Sequence, residues 1–250
     1  MQVAGKVAVI TGASRGLGAG MAFEFQRLGL KLGLCSRSPP CLSSDGTSVV
    51  ASQLDVRDTD AMFSFAESVI DQLGRIDLWI NNSGILDPVL PQRDLEATAL
   101  ADHLAINVVG VLNGSRCFVR HLRARGGTGV LINMSSGAAR HGYAGWSAYC
   151  AGKAAVDRLT ECVQLEEESH GLMAYSVAPG VVETGMQERI RSLSPDVFPT
   201  VAKFAKIKED ATYNTPDFVA RSLLSFAFDP ARRPRSVVCS LASTSHLSKV

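Results

Sequence analysis

Along the chain, short apolar runs alternate with longer stretches in which apolar residues recur at helical spacing. "KVAVIT" (6–11), "LKLGLCS" (30–36), "VVASQL" (49–54), "IDLWIN" (76–81), "GVLINMS" (129–135), "MAYSVA" (173–178) and "SVVCSL" (236–241) read as seven strands. Several are apolar almost throughout, the pattern of parallel strands covered on both faces. Helical patterns fall at about 16–28, 58–73, 97–124, 147–168 and 215–228. Strand alternating with helix predicts βαβ units. The expected fold class is therefore α/β, a doubly wound, seven-stranded and mainly parallel sheet flanked by helices. No repeat or linker divides residues 1–250, so one domain is expected.

Two segments break the rhythm. Between Ser36 and Val49 the chain reads "SRSPPCLSSDGTSV", with two prolines, a glycine and five serines. That composition opposes a crossover helix and predicts a loop or stunted turn. Residues 183–214 mix charge, Pro195, Pro199 and scattered aromatics. The segment is too long for an ordinary connection and reads as a substrate lid, either mobile or built of small helices. The final "ASTSHLSKV" is polar and reads as frayed.

Composition narrows the function classes. Hydrophobic residues make up 46% and charged residues 20%, a globular balance. A formal net charge of +1 gives no global field for nucleic acid or a membrane surface, so neither is an expected partner. No segment has about 18 uninterrupted apolar residues, and the N-terminal apolar run is too short for a signal-peptide core. A soluble, cytoplasmic protein is expected. The six cysteines form no CxxC pair and no zinc-ligand spacing with histidine, so no metal site is predicted; they read as reduced, packed thiols.

"VAVITGASRGLG" (7–18) places Gly12, Gly16 and Gly18 directly after the first strand and at the mouth of a helix. Glycines allow the backbone to approach a pyrophosphate, and a helix N-terminus offers it free N–H groups and positive dipole. The context predicts a Rossmann-type dinucleotide-binding domain, with Ser14, Arg15 and Leu17 inside the same turn. The end of the second strand discriminates between cofactors. An acidic residue there would bind a ribose 2′-hydroxyl, but none occurs between Glu24 and Asp45. Arg37 and Ser38 stand there instead, and Arg15 lies in the glycine turn. Two guanidiniums suit a 2′-phosphate, which favours NADP(H) over NAD; two solvated arginines are the bland alternative.

With these motifs in order, the chain resembles the short-chain dehydrogenase/reductase family over nearly its whole length. "TGASRGLG" resembles the family's cofactor loop, and "LDV" (54–56) its adenine-contacting patch, with Asp55 and Val56. "NNSG" (81–84) is similar to an NNAG element, with Asn82 and Gly84, and Ser83 in place of alanine. Asn107 falls at a helix asparagine, "INMSS" (132–136) at the catalytic serine, and "YCAGK" (149–153) fits YxxxK. "APGVVET" (178–184) matches a motif that caps the nicotinamide, with Pro179, Gly180, Val182 and Thr184. The family's serine lies 13 residues before its tyrosine, which selects Ser136 over Ser135; strand alternation allows only one of the two to face the site. Within the family the likeness is to bacterial benzil reductases and sepiapterin reductases. The latter anchor a pterin with an aspartate near the C-terminus, whereas no acidic residue follows Asp229 here. The resemblance therefore implies an NADPH-dependent carbonyl reductase acting on an aromatic ketone or benzil-like 1,2-diketone. A pterin reductase, a 3-oxoacyl-carrier-protein reductase and a non-catalytic NADP sensor are the alternatives.

The residues suggest how such a reduction would run. A free phenol, with a pKa of about 10, is a poor acid at neutral pH. Tyr149 needs a nearby cation to lower that value. Lys153 lies one helical turn away on the same face. The resemblance adds that Lys153 holds ribose hydroxyls, that Ser136 bonds the carbonyl oxygen, and that Asn107 positions a water. Cys150 points about 100° away from Tyr149 around the helix and reads as packing. Tyr143, Trp146 and His141 line an aromatic pocket or pack their own loop. Met186 and Phe198 cover the substrate or pack the lid, and His103, His121, His170 and His246 read as surface or packing residues. The two long helical patterns carry apolar residues on more than one face; with the family's habits, this implies a homodimer or homotetramer.

Overall fold

The computed structural model describes residues 2–242, so His246 lies outside the described residues. The strands are β1 (Val7–Thr11), β2 (Lys31–Ser36), β3 (Val49–Gln53), β4 (Leu78–Asn81), β5 (Gly129–Met134), β6 (Leu172–Ala178) and β7 (Val238–Ser240). They form one sheet in the order β3-β2-β1-β4-β5-β6-β7. Each neighbouring pair is parallel, so among the described residues the sheet is wholly rather than mainly parallel.

The strand side chains alternate between two cores, as the pleat requires. Ala8 and Ile10 of β1 and Leu78 and Ile80 of β4 join one core. It lies under α1 (Gly16–Arg27) and α8 (Pro216–Phe228), which contribute Met21, Phe25, Leu223 and Leu224. Val7, Val9 and Trp79 join the other, with Phe65 of α2 (Thr59–Leu73) and Phe118 of α4 (Gly110–Arg125). Burial on both sides is why these strands read as continuous apolar runs. Helix boundaries follow local chemistry. Asp58 caps α2 by accepting from the Ala61 N–H at 3.0 Å, and Thr215 caps α8 ahead of Pro216.

No helix forms between β2 and β3. The loop is organised instead by Asp45, whose Oδ1 accepts from the N–H groups of Thr47, Ser48 and Val49 at 2.7–2.9 Å. The Ser48 hydroxyl, which donates to Oδ2, together with these bonds holds its carboxyl well below the usual carboxylate range. The expected helix over 97–124 is divided into α3 (Ala97–Leu104), a π-helical turn (Ala105–Val109) and α4. The π turn coincides with Asn107, whose amide is bonded to the main chain of Ile85. The 183–214 segment contains two small helices, α6 (Gly185–Arg191) and α7 (Val201–Glu209). Glu183 ties them together, bonding Arg191 at 2.6 Å and pairing with Lys208 at 3.1 Å. Strand order reverses between β1 and β4, and a doubly wound sheet opens its ligand crevice beyond the carboxyl ends of the strands at such a point.

Candidate active site

A cleft of about 910 Å³ opens there. On its sheet side the backbone sets the shape. Gly12 takes φ +71°, and a Cβ on Gly18 would sit 2.2 Å from the Gly12 carbonyl oxygen. Only glycine admits that approach. The N-terminus of α1 carries no side-chain cap, which leaves its N–H groups facing the cleft mouth. Thr11 braces the turn. Its Oγ1 accepts from the N–H groups of Asn82 and Ser83, both at 3.0 Å, and Asn82 Nδ2 donates to the Thr11 and Gly12 carbonyls. Thr11 was not foreseen as a functional residue; a threonine closing the first strand against the glycine turn was its one visible signal.

Gly12, Ser14, Arg15, Gly16, Leu17, Gly18, Arg37, Ser38, Asp55, Val56, Asn82 and Gly84 all line the cleft, as do Pro179, Gly180, Val182 and Thr184. Among the described residues no ion pair or side-chain hydrogen bond holds the Arg15 or Arg37 guanidinium. Asp55 is different: Arg57 grips its carboxylate at 2.8–3.1 Å and holds it below its ordinary pKa. The 179–184 turn depends on Asn214, another residue the sequence did not single out. Its N–H donates to Val181 O at 2.7 Å and its Nδ2 to Pro179 O at 2.8 Å.

Tyr149 and Lys153 lie on α5 (Ser147–Glu167), both buried and both facing the cleft. The Lys153 Nζ sits 5.7 Å from the centre of the Tyr149 ring and donates to Met134 O at 2.8 Å. Burial pushes Lys153 down to about 8, with Asp157 opposing. Burial also pushes the Tyr149 phenol up, while a hydrogen bond from Ser136 pulls it down. In the protein alone, then, desolvation dominates Tyr149, and the expected lowering by Lys153 is not what sets its pKa. The two serines separate by role. Ser136 lines the cleft beside Tyr149. Ser135 is buried, and its Oγ donates to Asp157 at 2.5 Å, as Ser176 does at 2.6 Å. Asn107 is the exception among the predicted catalytic and cofactor residues: it is 1% exposed and does not line the cleft.

The other side of the cleft is a wall of side chains. Trp146 stacks on Phe198 with centroids 4.5 Å apart, edges onto Tyr149 at 5.5 Å and meets Tyr143 at 5.1 Å. Phe204 and Met186 join this cluster from α7 and α6. Trp146 is buried, yet among the described residues its Nε1 has no hydrogen-bond partner, and neither has the Gln187 Oε1. Phe198 is fully buried behind Trp146, so it packs the 183–214 segment rather than lining the cleft. His141 is exposed and outside the lining. Cys150 packs against this cluster with its Sγ towards His141 O, and burial pushes its thiol up, away from nucleophile chemistry.

The family model described as short chain dehydrogenase matches residues 6–194. This chain belongs to the short-chain dehydrogenase family. A benzil reductase ((S)-benzoin forming) of Bacillus subtilis is 32% identical over 222 residues, 87% of this chain and 91% of that protein. A sorbitol dehydrogenase of Cereibacter sphaeroides is 33% identical over 73% of each chain. Among solved structures, the KRED1-Pglu enzyme superposes with a TM-score of 0.82 at 28% identity, covering 94% of this chain and 100% of the other. A carveol dehydrogenase of Mycobacterium avium, solved in complex with NAD, gives a TM-score of 0.82 at 25% identity, covering 96% and 97%. Like the rest of the family, this oxidoreductase acts between alcohol and carbonyl groups with a nicotinamide cofactor. No helix among its described residues is long and apolar enough to cross a membrane. All six cysteines are free thiols.

Proposed function

We propose that this short-chain dehydrogenase is an NADPH-dependent carbonyl reductase that takes an aromatic 1,2-diketone of the benzil kind to the hydroxyketone. The observation that carries the proposal is the meeting, in one cleft, of Tyr149, Ser136 and Lys153 with an aromatic wall on one side and two unpaired guanidiniums on the other. The glycine cradle, which a Cβ on Gly18 would fill, fits a dinucleotide. Gly12 to Gly18 would hold its pyrophosphate, Arg15, Arg37 and Ser38 its 2′-phosphate, and Asp55 and Val56 its adenine. Asn82 and Gly84 would line its path, and Pro179, Gly180, Val182 and Thr184 would cap the nicotinamide.

When bound, that cofactor supplies the hydride. This chain supplies the rest. The Tyr149 hydroxyl donates its proton to the carbonyl oxygen as the carbon is reduced. The Ser136 hydroxyl bonds the same oxygen and stabilises its developing charge. Lys153, held by Met134 O, keeps its ammonium beside the phenol, would hold the ribose hydroxyls of the cofactor, and returns the proton through a water. With its amide spent on protein partners, Asn107 is left with its main-chain carbonyl, in the π turn, to hold that water. π turns recur at functional sites.

The aromatic wall supports the substrate class. Ring-on-ring contacts suit an aryl ketone. The name of the Bacillus subtilis relative agrees with this reading. The cytoplasm and a homodimer or homotetramer remain part of the proposal; Val109 and Leu112, at 43% and 42% exposure, and Leu165, at 74%, leave apolar surface on the long helices. The deciding experiment follows NADPH oxidation with benzil, aliphatic diketones, quinones, sepiapterin and a ketoacyl thioester. Benzil is expected to give the highest kcat/KM. A clear preference for sepiapterin or the thioester overturns the substrate assignment.

A further inference from the structure

The geometry points to His103 as a positioning residue for the reduction: it fixes the side chain of Asn107, and with it the π turn, behind the Lys153 ammonium. His103 was expected to be a surface or packing residue. It is instead fully buried, at 0% exposure, in the last turn of α3. Its Nδ1 lies 2.8 Å from Asp87 O and its Nε2 2.7 Å from Asn107 Nδ2. A carbonyl oxygen only accepts, so Nδ1 carries the proton and Nε2 accepts from Asn107. The Asn107 amide cannot turn over to suit another arrangement. Its Oδ1 accepts from Ile85 N and its Nδ2 donates to Ile85 O, both at 2.8 Å. Neutral His103 is thus the one histidine state that completes the set.

The cluster touches the reacting groups. The imidazole meets the Tyr149 ring edge-on with centroids 6.3 Å apart. A Cβ on Gly152, between Tyr149 and Lys153, would lie 3.4 Å from His103 Nε2. A Cβ on Gly84 would lie 3.2 Å from Asn107 Oδ1 and 3.7 Å from Lys153 Nζ, so asparagine and ammonium share one small space. The far end of the cluster reaches the lid. Asp87, whose carbonyl takes the His103 proton, pairs through Oδ1 with Arg189 of α6 at 3.0 Å. His103 is therefore the joint between the loop under the lid and the turn behind Lys153.

A proton added to His103 would set an N–H against the Asn107 amide N–H. Three groups bear on that proton. Burial and the Lys153 ammonium disfavour it, while the Asp87 carbonyl and carboxylate favour it. The net direction is below the ordinary value, so the state with both ring nitrogens satisfied persists through neutral pH.

The inference rests on the proposed proton path through Lys153, and the test separates the two. The pH profile of kcat is measured for the reduction in wild type, His103→Leu, His103→Gln and Asn107→Ala, with NADPH binding followed by fluorescence. Wild type is expected to lose kcat on an acid limb whose midpoint lies below the ordinary histidine value. In His103→Leu, kcat falls on the order of 10- to 100-fold with KM for NADPH kept, as a small displacement of a reacting group would produce. In His103→Gln, the Oε1 accepts from Asn107, most of the loss is recovered, and the acid limb disappears. An unchanged acid limb in His103→Gln, or wild-type kcat in His103→Leu, overturns the role of His103. Wild-type kcat in Asn107→Ala, which removes the amide that His103 holds but keeps the main-chain carbonyl, overturns that role too; retained turnover in Lys153→Met overturns instead the proton path that the proposed function assigns to Lys153. If His103→Leu does not fold, the His103→Gln profile decides.

Discussion

On the sheet side of the cleft, Gly12 and Gly18 leave no room for a Cβ, and the side chains of Thr11 and Asn82 tie the turn through hydrogen bonds to main-chain groups. On the opposite side, Trp146, Phe198, Phe204 and Tyr143 meet through ring faces and edges, with few polar ties. The first wall is shaped by backbone, the second by side-chain packing. Backbone geometry tolerates almost no substitution, because a clash with a carbonyl cannot be repacked. Packed rings tolerate many substitutions of similar volume. One wall therefore suits a ligand that does not vary, and the other a substrate that can.

Five changes test that contrast. Tyr149→Phe, at the seam of the two walls, is expected to cut kcat by about 10²- to 10⁴-fold while leaving NADPH affinity unchanged. Stopped-flow turnover and a binding titration check it, and retained turnover removes Tyr149 as the acid. Gly18→Ala should strike the backbone wall alone. Overpacking of about 1–3 kcal/mol corresponds to a roughly 10- to 100-fold weaker Kd for NADPH. A variant that binds normally would show that the turn yields where the geometry says it cannot.

Arg37→Asp removes one charge-assisted contact of about 1.5–3 kcal/mol, so the NADPH/NADH ratio of kcat/KM should fall by roughly 10- to 100-fold. A constant ratio would mean that Arg37 does not meet the 2′-phosphate. Trp146→Ala should lower kcat/KM for benzil by about tenfold through lost ring contacts and leave Kd for NADPH alone. Equal losses for both ligands would erase the distinction between the walls.

Lys153→Met gives the smallest expected effect, on stability. Lys153 falls from 10.5 to about 8 in the folded protein because it is buried. Between those values the unfolded chain holds more protons than the native one. The contribution of Lys153 to stability therefore rises with pH across that window, and below about 8 the full cost of the buried charge is present. Lys153→Met should flatten that rise and leave Tm at pH 7 no lower than wild type, despite abolishing turnover. A clear drop in Tm at pH 7 would show that the bond to Met134 O outweighs the desolvation cost.

The two walls also differ in how much of them could be read from residues in order. The glycine turn, the arginines after β2, Tyr149 and Lys153 lie within a few positions of a strand end or one helical turn apart, so local spacing points to them, whereas Ser136 was picked out by the resemblance. The loop over 36–49 was legible for the same reason, since its prolines exclude a helix locally. The link from His103 to Asp87, that of Asn107 to Ile85, the grip of Asn214 on the 179–184 turn and the brace from Thr11 join residues distant in sequence. The lid's form was not legible either: α6 and α7 are short and depend on Glu183 and the aromatic cluster rather than on their own periodicity.

The sequence by itself determined the doubly wound order of elements, the place of the glycine turn and the pairing of Tyr149 with Lys153, because each follows from local periodicity or from a conformation only glycine adopts. Only the tertiary structure decided the rest. Ser135 turns inward to Asp157 while Ser136 lies against Tyr149. Burial, not the nearby cation, sets the Tyr149 phenol. A π turn interrupts the helix over 97–124 where Asn107 reaches across to Ile85. Each of these depends on which distant groups desolvate or hydrogen-bond a side chain, and that is settled when the elements pack.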